Sequence, residues 1–351
     1  MLHFLPVRRA LLTVAVVVSS LAGSAGTAAP ASPTAAFGAR SDRPAITIRA
    51  GQLLPGFSGG PVTATNGETM TIYTQDELLA ADAGVPQRFA DFLTTLLHGS
   101  ELSTLNLYLA NADRVHAICG GGALGCYSPK AKTIVALGQD HQGIAATSVV
   151  THEYGHHVAN SRVNDPWPAV DWGAKRWASY VDVCRREKGG ELFPGDEASR
   201  YELNPGEDFA ETYRVLNERR LGLPEMAWQV VDPSLYPDQG ALDAVAQDVT
   251  TPWTANRTSI FQGRFTARGT GRGFRLQTPL DGNLSVSLQA PASSRFTVRV
   301  VDPGSGKPLA ATAAAGALKS VSLQVCGQRT LQIQVKRIRG AGPFTISVSQ
   351  P

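Results

Sequence analysis

Apolar residues at Phe89, Phe92, Leu93, Leu96 and Leu97 recur with helical spacing, so residues 86–98 are expected to form an amphipathic helix. The period then changes. Leu105, Leu107 and Leu109 alternate with Asn106 and Tyr108, a strand signature over 102–110, and 115–118 and 133–137 are further strand candidates. A helix is expected over 144–160, with helical stretches following at 171–186, 205–217 and 240–249. Strands first and helices afterwards fit an α+β core. After Pro252 the chain alternates apolar and polar residues over 261–266, 273–278, 284–288, 296–301, 321–325, 331–335 and 344–348. Turn residues separate these segments, as in Pro279-Leu280-Asp281-Gly282, which predicts an all-β sandwich.

The first part of the chain belongs to neither pattern. Arg8 and Arg9 precede an apolar run over 10–23 and small residues through Ala29, so residues 1–29 read as a secretory signal peptide. The run is short for a membrane span and no second one follows, so no transmembrane anchor is expected and the protein is expected to be secreted and extracellular. Residues 30–67, rich in Ala, Pro, Gly, Ser and Thr, read as a flexible linker or arm. The expected division is therefore 1–29, 30–67, a first globular domain at 68–254, and a β-sandwich at 255–351.

Charge supports that last boundary. Residues 255–351 hold thirteen Lys and Arg against two acids, Asp281 and Asp302, a net of +11. The preceding residues hold the other 19 basic and 27 acidic side chains and net −8. A basic β domain on an exported protein points to an anionic cell-wall or glycan surface as partner, with an arginine coat for solubility as the rival reading. Basic residues here lack interleaved aromatics, so nucleic acid is not an expected partner. Four cysteines in an exported chain favour disulfides over thiol chemistry. Cys119 and Cys126 flank a glycine-rich loop that a local bridge would close, and Cys184 and Cys326 would then pair across the domains or stay free. All three connectivities remain open, and the absence of a C-x-x-C pair argues against a cysteine metal site.

Chemistry concentrates in His152-Glu153-Tyr154-Gly155-His156, an H-E-x-x-H motif. Imidazoles at i and i+4 share one helical face and can reach one metal ion, while Glu153 can reach the water that ion activates. His157 lies about 100° further round the helix and reads as a surface or packing residue. Gly155 costs about 1 kcal/mol in a helix relative to Ala, which close approach of another backbone would explain. Trp167, Trp172 and Trp177 read as core rather than substrate wall.

Two histidines need a third ligand. Metzincins would continue the motif with Gly and His where this chain has Ala159 and Arg162, which excludes them. Residues 175–181 contain no acid, so thermolysin-like spacing fits poorly as well. The next candidates are Glu207 and Glu211, four apart in Asn204-Pro205-Gly206-Glu207-Asp208-Phe209-Ala210-Glu211. One could bind metal while the other orients a ligand histidine. Glu207 has an ordinary alternative, because Asn204 and Pro205 mark a helix start and Glu207 could close a capping box.

These two motifs together resemble lethal-factor-like gluzincins over roughly residues 70–250. The resemblance implies an α+β zincin-like metallopeptidase domain holding Zn2+ through His152, His156 and Glu207. It further implies Glu211 as the residue behind a ligand, Glu153 as general base, and Tyr201 as a hydroxyl steadying the transition state, although Tyr201 is one residue nearer than the family spacing. Residues Phe274, Leu276, Thr278-Pro279 and Asp281-Gly282 resemble pre-peptidase C-terminal domains of secreted bacterial peptidases. The function these features imply is a secreted zinc-dependent endopeptidase acting on protein or peptide substrates. The alternative is a catalytically idle secreted adhesin or binding protein with a structural metal site.

Overall fold

The computed structural model describes residues 43–226, 230–312, 318–327 and 329–351. The expected signal peptide and residues 30–42 of the expected arm lie outside the described residues. The rest of that arm is no loose linker. Ile48, Leu54 and Phe57 are buried in the main core, and β1 (Phe57–Thr63) pairs antiparallel with β2 (Thr69–Gln75). Glycine and proline hide the strand in sequence, but Gly59 is required there: a Cβ would lie 2.2 Å from the Ile72 carbonyl oxygen.

Two short helices follow, α1 (Asp76–Ala81) and α2 (Val85–Leu93), the second matching the expected amphipathic helix but ending earlier. Strand β3 (Asn106–Ala110) is shorter than expected, because residues Ser100–Thr104 form a 3-10 turn. Residues 115–118, expected as a strand, lie in helix α3 (Ala112–Cys119). The reason is visible in their spacing: buried Val115, Ile118 and Cys119 sit at helical intervals, and the Asn111 carboxamide oxygen caps the helix by accepting from the Arg114 N–H at 2.9 Å. Strands β4 (Gly125–Ser128) and β5 (Thr133–Leu137) complete a five-stranded sheet of order β1-β2-β3-β5-β4. β2, β3 and β5 run parallel, and the two outer strands, β1 and β4, run antiparallel to their neighbours.

Helix α4 (Ala146–Asn160) packs on this sheet and is buried on nearly every side. The helical stretch expected over 171–186 is broken into α5 (Ala169–Trp172), α6 (Lys175–Tyr180) and α7 (Val183–Lys188). The breaks fall at Gly173 and Asp182, both with positive φ, which ends a right-handed helix. Helix α8 (Pro205–Leu221) crosses α4, starting at the Asn204 cap and stopping at Gly222 in the left-handed conformation. Helix α9 (Gln239–Thr250) closes this part. Trp177 is core, edge-on to Phe209 with centroids 5.4 Å apart, whereas Trp167 and Trp172 stack on each other half-buried.

Residues from Arg257 onward form β6 (Arg257–Phe265), β7 (Gly271–Thr278), β8 (Gly282–Gln289), β9 (Arg295–Val301), β10 (Pro308–Ala311), β11 (Leu318–Val325), β12 (Arg329–Arg339) and β13 (Gly342–Gln350). They make two four-stranded antiparallel sheets, β10-β9-β12-β7 and β11-β8-β13-β6, with one shared core including Phe265, Phe296, Phe344 and Ile346. This is the sandwich expected from the alternating pattern, with β10 as an additional short strand.

Cysteines Cys119 and Cys126 are bridged, as are Cys184 and Cys326, the second bridge joining α7 to the end of β11. Beside it, buried Lys175 donates to the carbonyls of Asp165 at 2.6 Å and Asp281 at 3.0 Å, and the Asp281 N–H donates to the Ser179 hydroxyl at 2.8 Å. Burial lowers the Lys175 pKa to about 8. No helix among the described residues is long and apolar enough to cross a membrane.

Candidate metal centre

Helix α4 places His152, Glu153 and His156 in the interior, all at most 4% exposed. Polar groups so deep must have partners, and helix α8 supplies those of the two histidines. The two helices touch at Gly155, where a Cβ would stand 2.7 Å from Ala210 Cα and 3.1 Å from its carbonyl oxygen. The glycine inside H-E-x-x-H thus lets a second backbone close on the first. That contact brings Glu207 and Glu211, one turn apart on α8, against the two histidines.

Glu207 is not a helix cap. The Asn204 N–H donates to the Tyr201 carbonyl at 3.0 Å, so the bond a capping box would make is already taken. One carboxylate oxygen of Glu207, Oε2, stands 3.3 Å from His152 Nε2 and 3.3 Å from His156 Nε2, and it accepts from the Tyr201 hydroxyl at 2.9 Å. The three ligand atoms lie within 4.8 Å of one another and could hold a metal ion. Ligand atoms ~2.0–2.1 Å from a small tetrahedral cation stand about 3.3 Å apart, so the separations fit such an ion.

The chemistry of the donors agrees. His152 Nδ1 faces Glu211 Oε2 at 3.4 Å, and a carboxylate can only accept. A neutral imidazole carries one proton, so with carboxylates at both ring nitrogens one contact must set lone pair against lone pair. With the proton on Nδ1, directed at Glu211, the Nε2 lone pair and the Glu207 oxygen could share a cation. Charge points the same way. Glu211 and Glu218 share one guanidinium, Arg214, beside buried Glu207, and a divalent cation would offset the negative charge gathered there.

Behind His152 lies a continuous chain of hydrogen bonds. Arg214 grips both oxygens of Glu211, with Nε at 2.9 Å from Oε2, and its Nη1 donates to Glu218 at 2.5 Å. Glu218 in turn accepts from Ser148, one turn before His152 on α4, at 2.7 Å. Burial alone would raise the Glu211 pKa, but the Arg214 hydrogen bonds and the His152 contact hold it below the ordinary value. A carboxylate behind a metal-ligating imidazole fixes its tautomer and ring orientation. Glu211 thus lies against the His152 ring nitrogen that faces away from Glu207, while Arg214, Glu218 and Ser148 were missed. The i, i+4 spacing of Arg214 and Glu218 was their one local signal, and it is common on ordinary helices.

Glu153 points towards the sheet edge. A Cβ on Gly125 would lie 2.5 Å from Glu153 Oε1, so the base candidate occupies the space that a side chain on β4 would need. β4 is an outer strand of the sheet. His157 faces away from the centre. Its Nε2 donates to the Glu101 carbonyl at 2.9 Å, which leaves Nδ1 to accept from the Tyr127 hydroxyl at 3.0 Å. Burial pushes its pKa down to about 4, so it is a neutral packing residue at ordinary pH.

No protein-family model matches the chain, and no curated protein does. Solved structures similar to it include the pre-peptidase C-terminal domain of collagenase from Bacillus anthracis, which matches the β-sandwich part. It is 13% identical and covers 26% of this chain and 88% of that one, with a TM-score of 0.24. The Yersinia pseudotuberculosis-derived mitogen is 9% identical, covering 27% of this chain and 87% of that one, TM-score 0.22. The periplasmic g-type lysozyme inhibitor PliG of Aeromonas hydrophila is 18% identical, covering 27% and 86%, TM-score 0.21. None of these comparisons supports the gluzincin resemblance of residues 70–250.

Proposed function

We propose that this protein is a secreted zinc-dependent endopeptidase of the zincin kind, with His152, His156 and Glu207 as metal ligands and Glu153 as general base. The observation that carries the reading is the buried convergence of His152, His156 and Glu207 with a carboxylate on the residue next to the first ligand. Two imidazoles and one carboxylate are a donor set that suits zinc and leaves a coordination position open. The chemistry a bound zinc supplies is Lewis acidity, lowering the pKa of water towards neutrality and polarising a carbonyl.

The chain's own residues do the rest. Glu153 accepts a proton from the attacking water and delivers it to the departing amine nitrogen. Glu211 holds the His152 ring, backed by Arg214. The one hydroxyl proton of Tyr201 is donated to Glu207 here; turned away from that bond, it is the donor we assign to the developing oxyanion. An extended peptide adding to the outer edge of β4 would run past Glu153, and main-chain pairing there would orient the scissile bond. The alternative, an idle binding protein with a structural metal, needs no carboxylate beside the first ligand, since a structural site uses no general base.

Hydrolysis of casein by the purified protein tests this reading. Activity abolished by a chelator and restored by zinc supports it, and hydrolysis indifferent to chelation overturns it.

A further inference from the structure

The basic side chains of the β-sandwich are sorted between its two outer faces. In β12, Leu331, Ile333 and Val335 enter the core, so Gln332, Gln334 and Lys336 face outward. Strand register sets Gln332 beside Arg275, Gln334 beside Arg299, Lys336 beside Thr297, and Arg339 beside Arg295. The sheet β10-β9-β12-β7 thereby presents Arg275, Arg295, Arg299, Lys336 and Arg339, all exposed. Neither acid of this region opposes them. Asp281 is buried beside Lys175, and Asp302 accepts from the N–H groups of Gly304 and Ser305 in its own turn.

The other sheet is different. Its outer face carries cross-strand rows of hydroxyls, Ser320–Ser287–Ser347 and Ser322–Ser285–Ser349, without a charge in either row, and Arg264 on β6 is an exposed cation beyond them. A coat of arginine for solubility would have no reason to favour one face. The cationic face is also ordered in detail: Arg299 Nε donates to Gln334 at 2.8 Å, and Gln334 donates to Gln332 at 2.6 Å.

We propose that the outer face of β10-β9-β12-β7 binds an anionic polysaccharide laid along β12, independently of the metal centre. Four of its five cations are Arg, whose planar fork matches carboxylate and sulfate oxygens two at a time. Gln and Thr between them both donate and accept, as sugar hydroxyls require. Residues two apart on one face are spaced ~6.8 Å along a strand, so the cations extend over roughly 20 Å, the reach of a polymer rather than a small anion. No outward position named on this face is aromatic, so it offers no platform for stacked bases and no ring for a bilayer interface.

Binding of the full-length protein to dextran sulfate, compared with unsubstituted dextran of equal length, tests the proposal. The triple variant Arg275→Gln/Arg299→Gln/Lys336→Gln should bind dextran sulfate at least tenfold more weakly. The triple Arg257→Gln/Arg264→Gln/Arg268→Gln, which removes equal charge from β6 and the loop after it, should stay within about twofold of the parent. Both exposed sets should melt as the parent does, since surface changes away from packed features leave stability nearly unchanged. Equal losses in the two triples would reduce the effect to net charge and overturn the proposal. So would equal binding of dextran, or tighter binding of RNA or of vesicles containing anionic lipid.

Discussion

Gly155→Ala is the most informative small perturbation of the metal centre, because it adds one methyl group between the two helices that build it. The new carbon would stand 2.7 Å from Ala210 Cα, 3.1 Å from Ala210 O and 3.2 Å from Ala210 Cβ, whereas ordinary contact begins near 3.4 Å. Two of these atoms are backbone, so no rotamer relieves the clash, and α8 must retreat from α4 by about 0.7 Å. Glu207 travels with α8, and its 3.3 Å separation from each histidine nitrogen would grow towards 4 Å. Functional constellations tolerate roughly 0.5 Å of displacement, so the ligand set would no longer fit one small ion. Overpacking costs about 1–3 kcal/mol, and the better helix propensity of Ala returns about 1 kcal/mol. The expected result is therefore a small loss of stability, ~0–2 kcal/mol, beside a loss of metal affinity of at least tenfold. Chelator competition measures the second and urea unfolding of the metal-free protein the first. A variant that binds metal as the parent does, or that is more stable than the parent, would refute the close-contact argument.

Other perturbations separate the parts of the account. Gly125→Ala drives a methyl into Glu153 Oε1, so peptidase activity should fall by at least tenfold while metal content stays at one per chain. Arg214→Met leaves Glu211 and Glu218 buried without their shared cation and should cost about 3–5 kcal/mol in urea unfolding. It should also weaken metal binding ~10–100-fold, because the partner of His152 loses its anchor. Burial raises the Asp281 pKa from 3.8 to about 6. The folded state thus binds the extra proton between those values, and this contribution to stability is full below about pH 4 and lost as pH rises through 6. Asp281→Asn should accordingly be more stable than the parent at pH 8, by about 1–3 kcal/mol, with the gap closing by pH 4 in thermal melts.

What could be read from the sequence follows from how local each signal is. His152, Glu153 and His156 were legible because helical period alone puts both imidazoles on one face. Glu207 was legible only as one of two possibilities, since Asn204-Pro205 gives the same glutamate a capping role. What removes the capping role is a hydrogen bond between Asn204 and Tyr201 that no pattern encodes. The β-sandwich was legible because each strand alternates between core and solvent. The sheet edge beside the site was not, because Gly125-Cys126-Tyr127-Ser128 is short, mostly buried and without alternation. Val115 to Ile118 looks like a strand by β-branched content, yet tertiary burial of one helical stripe overrides that preference. β1 was hidden by Gly59, Gly60 and Pro61, whose composition belongs to loops while their backbone is extended. Sorting of charge between the two sandwich faces needed strand register, which a net charge cannot supply.

The central claim is that a metal held by His152, His156 and Glu207 works together with Glu153 in peptide hydrolysis. Glu153→Gln, assayed for zinc content and casein hydrolysis in one preparation, tests it most directly. The account predicts one zinc per chain, as in the parent, and hydrolysis reduced by at least a hundredfold. Retention of zinc with turnover like the parent's would contradict it.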